Sequence, residues 1–299
     1  MPESPRDIRR RIQATKNMAQ ITRAMQQVAT ARLRRAQARV RDARPYADSI
    51  REVLSGLSSG RRSDVTHPLL VQREVRSVGI VEVTPDRGLV GGLISNVNRA
   101  TNNTIREQSV PVRGYAIGRR GRDFLRRNGV DVAGEEIALG DYPELDRVLG
   151  VARLVMDQYA AGEVDRVHLA YTRFVSTARQ EPVVIQLIPV EPPEAQRDGD
   201  GDQNQNRDGQ EPQTYDYEYE PEPAAVLSAL LPRYVEVQIY QALLETKASE
   251  QAARLVAMRN ATDNANELVG DLTLNLNKAR QAQITTEISE IVSGAEALA

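Results

Sequence analysis

The feature that most constrains this chain is a heptad pattern that covers both of its ends. In the C-terminal part, apolar or small residues recur at alternating steps of four and three, the 3.5-residue period of paired, supercoiled helices. The pattern predicts a helix that runs almost unbroken from near Leu230 for about seventy residues, or roughly 100 Å at 1.5 Å per residue. Its seam positions are Leu230, Tyr234, Val237, Gln241, Leu244, Ala248, Gln251, Leu255, Met258, Thr262, Ala265, Val269, Leu272, Leu276 and Ala279.

The N-terminal part keeps the same alternation for seven heptads, so it supplies the partner that the C-terminal seam requires. Many of its seam positions are Ala or Thr, which lets the partner backbone approach closely. Pro45 lies within the pattern and is expected to bend or break the helix. We therefore assign residues 1–57 and 223–299 as the two coiled-coil helices. The N-terminal seam positions are Ile8, Ile12, Thr15, Ala19, Thr22, Gln26, Ala29, Leu33, Ala36, Val40, Ala43, Ala47, Ile50, Leu54 and Leu57.

Two further apolar strips are not explained by a two-helix seam. After Ala279 the C-terminal seam shifts by one position and continues as an overhang beyond the shorter N-terminal helix, which predicts that another surface covers it. Beside the N-terminal seam, a second strip packs either against the domain's own loops or against an outside surface. These strips are Ile284, Ile288, Ile291, Ala295 and Leu298 in the first case, and Ile21, Met25 and Val28 in the second.

Between the two helices, residues 75–190 alternate strands with helices, which predicts a small open α/β domain with helices on the faces of its sheet. Ser55–Thr66 is a linker by composition. The predicted strands are 75–83, 110–117, 164–175 and 182–190, and the predicted helices are 93–108, 119–128 and 142–160. The fold class is thus α/β or α+β: a Rossmann-like domain inserted into a two-helix coiled coil.

The sequence carries no positive sign of an active site, a cofactor site or a metal site. The glycine turn Gly88–Gly92 follows a strand but fits neither GxGxxG nor GxxxxGK[ST]. The two histidines, His67 and His168, lie far apart and have no ligand motif around them. Cysteine is absent, which excludes disulfides and thiolate chemistry. No apolar run reaches the ~20 residues that span a bilayer, so we expect a cytoplasmic protein that meets a membrane only through partners.

Charge is spread unevenly although the net charge is only −2. Residues 1–62 carry 15 Lys and Arg against 5 Asp and Glu, whereas 191–223 carry 11 acids against 2 arginines. A basic helix can meet nucleic acid, anionic lipid or an acidic protein surface, or can be a solvated face. We assign 191–222 as an acidic mobile loop and a tyrosine-rich segment, in which Tyr215–Pro221 is a candidate edge strand, and we expect a helix to start at Pro223.

Five stretches together resemble the gamma subunit of F-type ATP synthases, in the family's order and over essentially the whole chain. Val90 stands where the family usually has cysteine, and the cysteine-bearing insertion of photosynthetic members is lacking. The stretches are Ile21–Ala29 (ITRAMQQVA), Asp86–Gly92 (DRGLVGG), Gly118–Phe124 (GRRGRDF), Ala248–Met258 (ASEQAARLVAM) and Asn277–Ile291 (NKARQAQITTEISEI).

The resemblance implies an antiparallel coiled coil set inside a hexamer of alpha and beta subunits, with the α/β domain directed towards the epsilon subunit and the ring of c subunits. Such a chain is a central rotor stalk at the cytoplasmic face of a bacterial cell membrane. It transmits torque so that proton flow drives ATP synthesis, helps to regulate ATPase activity, and has no catalytic residue of its own.

The resemblance also assigns contact residues. Met25 and Arg254 are expected to face the beta-subunit lever, and Gln281, Ile284, Thr285, Glu287 and Ile288 to lie at the upper bearing. Two other classes compete with this interpretation. A basic coiled-coil nucleic-acid-binding protein leaves the glycine turn and the inserted domain unexplained. A nucleotide-dependent enzyme lacks its phosphate-binding motif.

Overall fold

A computed structural model describes residues 4–59, 67–190 and 223–296. Two long helices lie at the ends of the chain, and strands and shorter helices alternate between them. In chain order the elements are α1 (Pro5–Ser59), a 3-10 turn (Pro68–Leu70), β1 (Val78–Val83), α2 (Leu93–Glu107), β2 (Val112–Ile117), α3 (Arg119–Arg127), β3 (Asp131–Glu136), α4 (Asp146–Ala160), β4 (Arg166–Phe174), β5 (Gln180–Ile188) and α5 (Pro223–Glu296).

The five strands form one mixed sheet in the order β3-β2-β1-β4-β5. Strands β3, β2, β1 and β4 are parallel, and β5 returns antiparallel to β4. This is the 3-2-1-4 order of a doubly wound Rossmann-type sheet with an antiparallel edge strand. The predicted fold class is confirmed: the long terminal helices are in contact and an α/β sheet lies between them in the sequence.

The sheet is buried on both faces, as the six buried positions of β1 show, and its largest apolar cluster lies on one of them. Val81 and Val83 of β1 belong to a buried cluster that joins the sheet to α4. The same cluster takes in residues of both long helices, so it anchors the sheet on the helix pair. The helix residues concerned are Ala47, Ile50 and Leu54 of α1 and Leu227, Leu231, Tyr234, Val235, Val237, Ile239, Ala242 and Leu243 of α5.

The chain divides into two units. One consists of Met1–Ala31 and Arg254–Ala299, and the other of Arg32–Ala253. In both units the predicted seam is the covered side of the helices: every described seam position from Ile8 to Leu54 and from Leu230 to Ala279 is buried or half-buried. The heptad pattern therefore identifies the packed face of each helix.

Several predicted boundaries differ from the structure. Helix α1 runs without a break through Pro45 and ends at Ser59, inside the segment that composition predicts as a linker. Helix α5 begins at Pro223 as predicted and continues through Pro232. The predicted loop at 191–206 and the edge strand Tyr215–Pro221 fall outside the described residues.

The sequence prediction lacks strand β3, which pairs in parallel with β2. Its sequence, DVAGEE, has no clear alternation and is only half-buried. Gly134 within it packs closely against α4, since a Cβ there would lie 2.6 Å from Cδ2 of Leu154. Tertiary contacts, rather than local propensity, make this segment a strand.

Candidate functional site

A hydrogen bond between two threonines fixes the register of the helix pair. The hydroxyl oxygens of Thr22 on α1 and Thr262 on α5 are 2.7 Å apart and buried. Each hydroxyl also reaches a carbonyl of its own helix: Thr22 that of Met18 or Ala19, each at 3.1 Å, and Thr262 that of Met258 at 2.9 Å. Small side chains at this level let the two backbones come close enough for the side chains to bond directly.

The same register holds within the other unit, where Ala36 and Val40 cluster with Ala248 and Leu244. Later residues of α1, Ala47 to Leu54, lie in a cluster with earlier residues of α5, Leu227 to Leu243, so the helices are antiparallel. Two heptads beyond Thr22 and Thr262, this register sets Ile8 opposite Leu276. Helix α1 begins at Pro5, and α5 continues to Glu296. The last four turns of α5 therefore have no part of α1 opposite them.

These last turns are exposed along their whole circumference. Every residue from Arg280 to Ser293 is exposed, and so is Ala295. Four of them are large and apolar: Ile284 at 47%, Ile288 at 56%, Ile291 at 72% and Val292 at 51% exposure. The predicted bearing residues Gln281, Ile284, Thr285, Glu287 and Ile288 all lie on this single helical segment, which we call the α5 end.

The strip beside the α1 seam is also largely uncovered. Ile21 is 55% exposed, Val28 is 50% exposed, and Met18 extends the strip by one turn at 55% exposure. Met25 is half-buried between them. Of the two interpretations of this strip, packing against the chain's own loops finds no support among the described residues. Arg254, the other predicted lever residue, is only 9% exposed on α5.

Comparison with known proteins decides the family. A gamma chain of ATP synthase from Dehalococcoides mccartyi (strain CBDB1) is 48% identical over 295 residues, which cover 98% of this chain and 99% of the relative. The family model described as "ATP synthase" matches residues 4–298. The chain belongs to the ATP synthase gamma chain family. A gamma chain from Chloroflexus aurantiacus (strain ATCC 29366 / DSM 635 / J-10-fl) is likewise 48% identical, over 307 residues covering 100% of this chain and 99% of the relative.

Solved structures share the fold at lower identity. A chain of the mitochondrial ATP synthase rotor of Euglena gracilis matches with a TM-score of 0.67 and 19% identity, over 94% of this chain and 98% of that one. A chain of the central stalk and c-ring structure of the mitochondrial ATP synthase from Tetrahymena thermophila matches with a TM-score of 0.60 and 23% identity. The match covers 81% of this chain and 99% of that one. Membership of the gamma chain family confirms the predicted function in the central stalk of the rotor and the prediction of a non-catalytic subunit.

The glycine turn after β1 is organised by a carboxylate of the chain itself. Asp86 accepts hydrogen bonds from the backbone N–H groups of Arg119 at 3.0 Å, Ala138 at 3.2 Å and Leu139 at 3.0 Å. These groups follow β2 and β3, so Asp86 joins three loops at the carboxyl edge of the parallel strands. Three backbone donors at this edge are thus already engaged by the chain's own carboxylate. The turn presents Leu89, which is 63% exposed at a φ of 62°.

A buried carboxyl group lies on the face of β1 opposite Val81 and Val83, beside the buried Val78 and Ile80. Glu82 is fully buried, and burial raises the pKa of its carboxyl group to about 8. In the flipped orientation of the Asn98 side-chain amide, its nitrogen donates a hydrogen bond to Glu82 Oε1 at 3.2 Å. Glu82 Oε2 has no hydrogen-bond partner among the described residues. At neutral pH this group is therefore largely protonated. The sequence does not single out Glu82, because one Glu within an apolar strand is what a strand with a solvent-facing side also shows.

Other groups that could carry chemistry are dispersed. Burial lowers the pKa of His168 on β4, which favours a neutral imidazole at physiological pH. Among the residues that the structure describes, no three His, Cys, Asp or Glu side chains are grouped as a metal site would require. None of the helices in 4–59, 67–190 and 223–296 combines the length and the apolar character that crossing a bilayer demands.

Proposed function

We propose that the chain is a shaft that carries torque between the ring of c subunits in the membrane and the catalytic hexamer of alpha and beta subunits. The observation that carries the proposal is the α5 end, a segment of helix with Ile284, Ile288, Ile291 and Val292 exposed. Exposed apolar surface costs about 25 cal/mol per Å² relative to burial. A helix that continues past its partner with such residues is built to be covered by another chain.

The hexamer is the partner that fits this end. Gln281, Thr285 and Glu287 provide polar groups around Ile284 and Ile288, so the end combines an apolar contact with hydrogen-bonding groups on the same turns. All five residues are exposed, and their side-chain bonds stay within the helix, such as Gln283 to Glu287 at 2.8 Å. A surface that rotates against its partner must break and re-form its contacts with that partner. Because the side-chain hydrogen bonds lie within α5, they persist while the contacts with the hexamer change.

A second contact with the beta subunits is proposed along the strip beside the α1 seam. Ile21 and Val28 supply exposed apolar surface, and Met25 is half-buried between them. Arg254, at 9% exposure, would contribute only a small part of its side chain. The N-terminal segment is strongly basic, which suits an acidic surface on beta. A single asymmetric helix pair cannot contact three equivalent subunits alike, so each takes a different conformation, and rotation exchanges those conformations.

The α/β domain is proposed to face the epsilon subunit and the c ring. The assembly would thereby hold the chain at the cytoplasmic face of the bacterial membrane without an insertion of its own. The family membership and the rotor structures that share the fold support this orientation. In this role proton flow turns the c ring, the chain turns with it, and the catalytic groups remain in the beta subunits.

The proposal is tested by removing the apolar character of the α5 end. The variant Ile284→Ser/Ile288→Ser/Ile291→Ser is compared with the parent in thermal unfolding of the free chain and in assembly with alpha and beta subunits. We expect an unchanged unfolding midpoint, because the three side chains are exposed, together with weaker assembly or lower torque. The matched control is Leu272→Ser, which alters a seam residue that is only 4% exposed and should lower the unfolding midpoint.

Two outcomes would contradict the proposal. If the triple variant lost its own cooperative unfolding, the α5 end would pack internally rather than against the hexamer. If it unfolded normally and also assembled and rotated as the parent does, the hexamer would not depend on this end. Appreciable ATP hydrolysis by the isolated chain would likewise contradict a purely mechanical role.

A further inference from the structure

The loop between β3 and α4 holds helix α1 through three arginines on successive turns. Nη1 of Arg32 lies 3.0 Å from Oδ1 of Asp141. The guanidinium carbons of Arg35 and Arg39 lie 5.9 and 5.2 Å from the ring centre of Tyr142, within the range of cation–π attraction. Arg35 also donates to the Tyr142 hydroxyl at 3.3 Å. The loop is thus bound to α1 by directional contacts over about two helical turns.

One carbonyl of this loop bridges the two long helices. The carbonyl oxygen of Pro143 accepts a hydrogen bond from Nη1 of Arg39 on α1 at 3.2 Å and from the hydroxyl of Tyr240 on α5 at 3.3 Å. The tip of the loop therefore holds both helices at once. A displacement of either helix relative to the sheet would stretch one of these bonds.

The end of strand β4 holds α5 from a second direction. The backbone N–H of Thr172 donates to the hydroxyl of Thr246 at 3.4 Å, and the hydroxyl of Ser249 donates to the carbonyl of Thr172 at 3.3 Å. Two residues further on, the N–H of Phe174 donates to Oε2 of Glu245 at 3.3 Å. Thr172, Glu245, Thr246 and Ser249 are all buried, so these bonds are shielded from water.

The two sets of contacts meet at one level of the helix pair. Ala36, Val40, Leu244 and Ala248 form a small apolar cluster there, and Phe174 and Tyr240 pack against it. The arginines lie on α1 around this cluster, and Glu245, Thr246 and Ser249 lie on α5 around it. The loop Asp141–Pro143 and the strand end Thr172–Phe174 thus surround the helix pair, and we call these two segments with their helix contacts the collar.

On α1 the collar is a second anchor, apart from the apolar contacts at Ala47, Ile50 and Leu54, whereas on α5 the apolar core continues to Leu243 and Tyr240 packs against it too. Between Arg39 and Ile50 the helix rises by roughly 16 Å. One anchor would let the helix pair twist or tilt about a single point. Two anchors at separate heights oppose such movement, and the collar's bonds are directional whereas the apolar contact can slide.

We propose that the collar is the torsional coupling through which the α/β domain drives the helix pair, with Tyr142, Arg39 and Tyr240 as its positioning residues. This inference rests on the proposed function, because a coupling matters only if the chain transmits torque. It assigns to the loop before α4 a mechanical role in addition to its place in the domain's fold.

The test measures rotor stiffness in the assembled complex. The chain contains no cysteine, so Asn103→Cys, on an exposed position of α2, gives one attachment point for a bead on the α/β domain. The complex is fixed to a surface through its hexamer and stalled, and the width of the bead's angular fluctuation reports the torsional compliance of the shaft. Rotation driven by ATP is recorded for the same molecules.

In that background the variants are Tyr142→Leu/Arg39→Met, which removes the ring and guanidinium contacts, and Tyr240→Phe, which removes one hydroxyl. The control is Arg34→Met, which deletes an exposed arginine of the same helix outside the collar. We expect the double variant to widen the angular distribution clearly and Tyr240→Phe to widen it less, with ATP-driven rotation retained. Arg34→Met should keep the parental width.

The inference is overturned if the collar variants keep the parental angular width, even where their unfolding temperature falls, since that pattern describes a purely structural contact. It is also overturned if Arg34→Met widens the distribution as much. Should the double variant not fold, Tyr240→Phe alone decides. A parent complex that does not rotate at all would contradict the proposed function instead.

Discussion

The hydroxyls of Thr22 and Thr262 meet at 2.7 Å across the seam of the helix pair, although 240 residues separate them in the chain. Both residues are almost completely buried. A direct bond between side chains requires a defined axial alignment of the two helices, because a shift of one turn would carry the two hydroxyls out of reach of each other. The pair therefore specifies register as well as adding stability.

Replacing either threonine tests this bond. Thr22→Val and Thr262→Val should each lower the free energy of unfolding by about 1 kcal/mol, the net value of a buried neutral hydrogen bond. The double variant should lose less than the sum, because two valines leave no polar group unpaired. Urea unfolding of the four proteins gives the coupling energy. Thr273→Val, whose hydroxyl bonds only its own helix at an exposed site, should change little; strictly additive losses would refute the pairing.

Glu82 should make stability depend on pH. Its pKa is about 8 in the folded chain and 4.5 as a free side chain, so between these values the folded state keeps a proton that the unfolded state releases. The group's contribution is fully present below pH 4.5, and the free energy of unfolding falls as pH rises to about 8, by up to about 1.4 kcal/mol per pH unit.

The variant Glu82→Gln should flatten this dependence, which chemical denaturation at a series of pH values would measure. The difference between parent and variant isolates Glu82 from other titrating groups such as His168. Glu74→Gln is the control, since the Glu74 side chain is 78% exposed. Parallel pH profiles for parent and Glu82→Gln would show that this carboxyl group titrates normally.

Two glycine-to-alanine substitutions should change the stability of the domain in opposite directions. A Cβ at Gly121 would lie 2.9 Å from Oγ1 of Thr84 and 3.0 Å from Oε2 of Glu82, so Gly121→Ala should destabilise the domain by about 1–3 kcal/mol. At Gly150, inside α4, a Cβ meets nothing within 4 Å, and Gly150→Ala should stabilise by up to about 1 kcal/mol through helix propensity. Thermal unfolding distinguishes them, and a stabilising Gly121→Ala would contradict the close packing of α3.

Removing the carboxylate of Asp86 should release the loops that it joins. In Asp86→Ala the N–H groups of Arg119, Ala138 and Leu139 lose their acceptor, and hydrogen exchange at these three amides should become faster. Asp86→Asn keeps one acceptor oxygen and should show a smaller effect. The loss of stability should be about 1–2 kcal/mol because the site is partly hydrated. Unchanged exchange in Asp86→Ala would mean that the loops hold themselves together.

The sequence predicted the long helices well because their packing leaves a periodic trace. A two-helix seam repeats at 3.5 residues, so each position adds to one signal, and the described seam positions are all buried or half-buried. The end of the seam was predictable for the same reason: the pattern shifts after Ala279, the last seam position that is half-buried, and every residue from Arg280 to Ser293 is exposed.

Single contacts between distant residues leave no such trace. Three loops at the carboxyl edge of the sheet meet at Asp86 across 33 to 53 residues of sequence. Tyr142 contacts Arg35, 107 residues away, and Arg39. Nothing local to Tyr142 indicates which helix it contacts. Strand β3 was missed for a related reason, since its pairing with β2 and its packing under Leu154 decide its conformation.

The antiparallel register restricts how the length of this protein can change in evolution. One residue inserted into α1 turns every later side chain by about 100° and takes the seam out of phase. A whole heptad keeps the phase but displaces α1 along α5, so Thr22 would no longer reach Thr262. The change that preserves both is a heptad added to each helix at the same level, which requires two matched events far apart in the gene. Connections outside the collar and the Asp86 contacts, such as the turn between β4 and β5, carry no such requirement, so length variation should collect there.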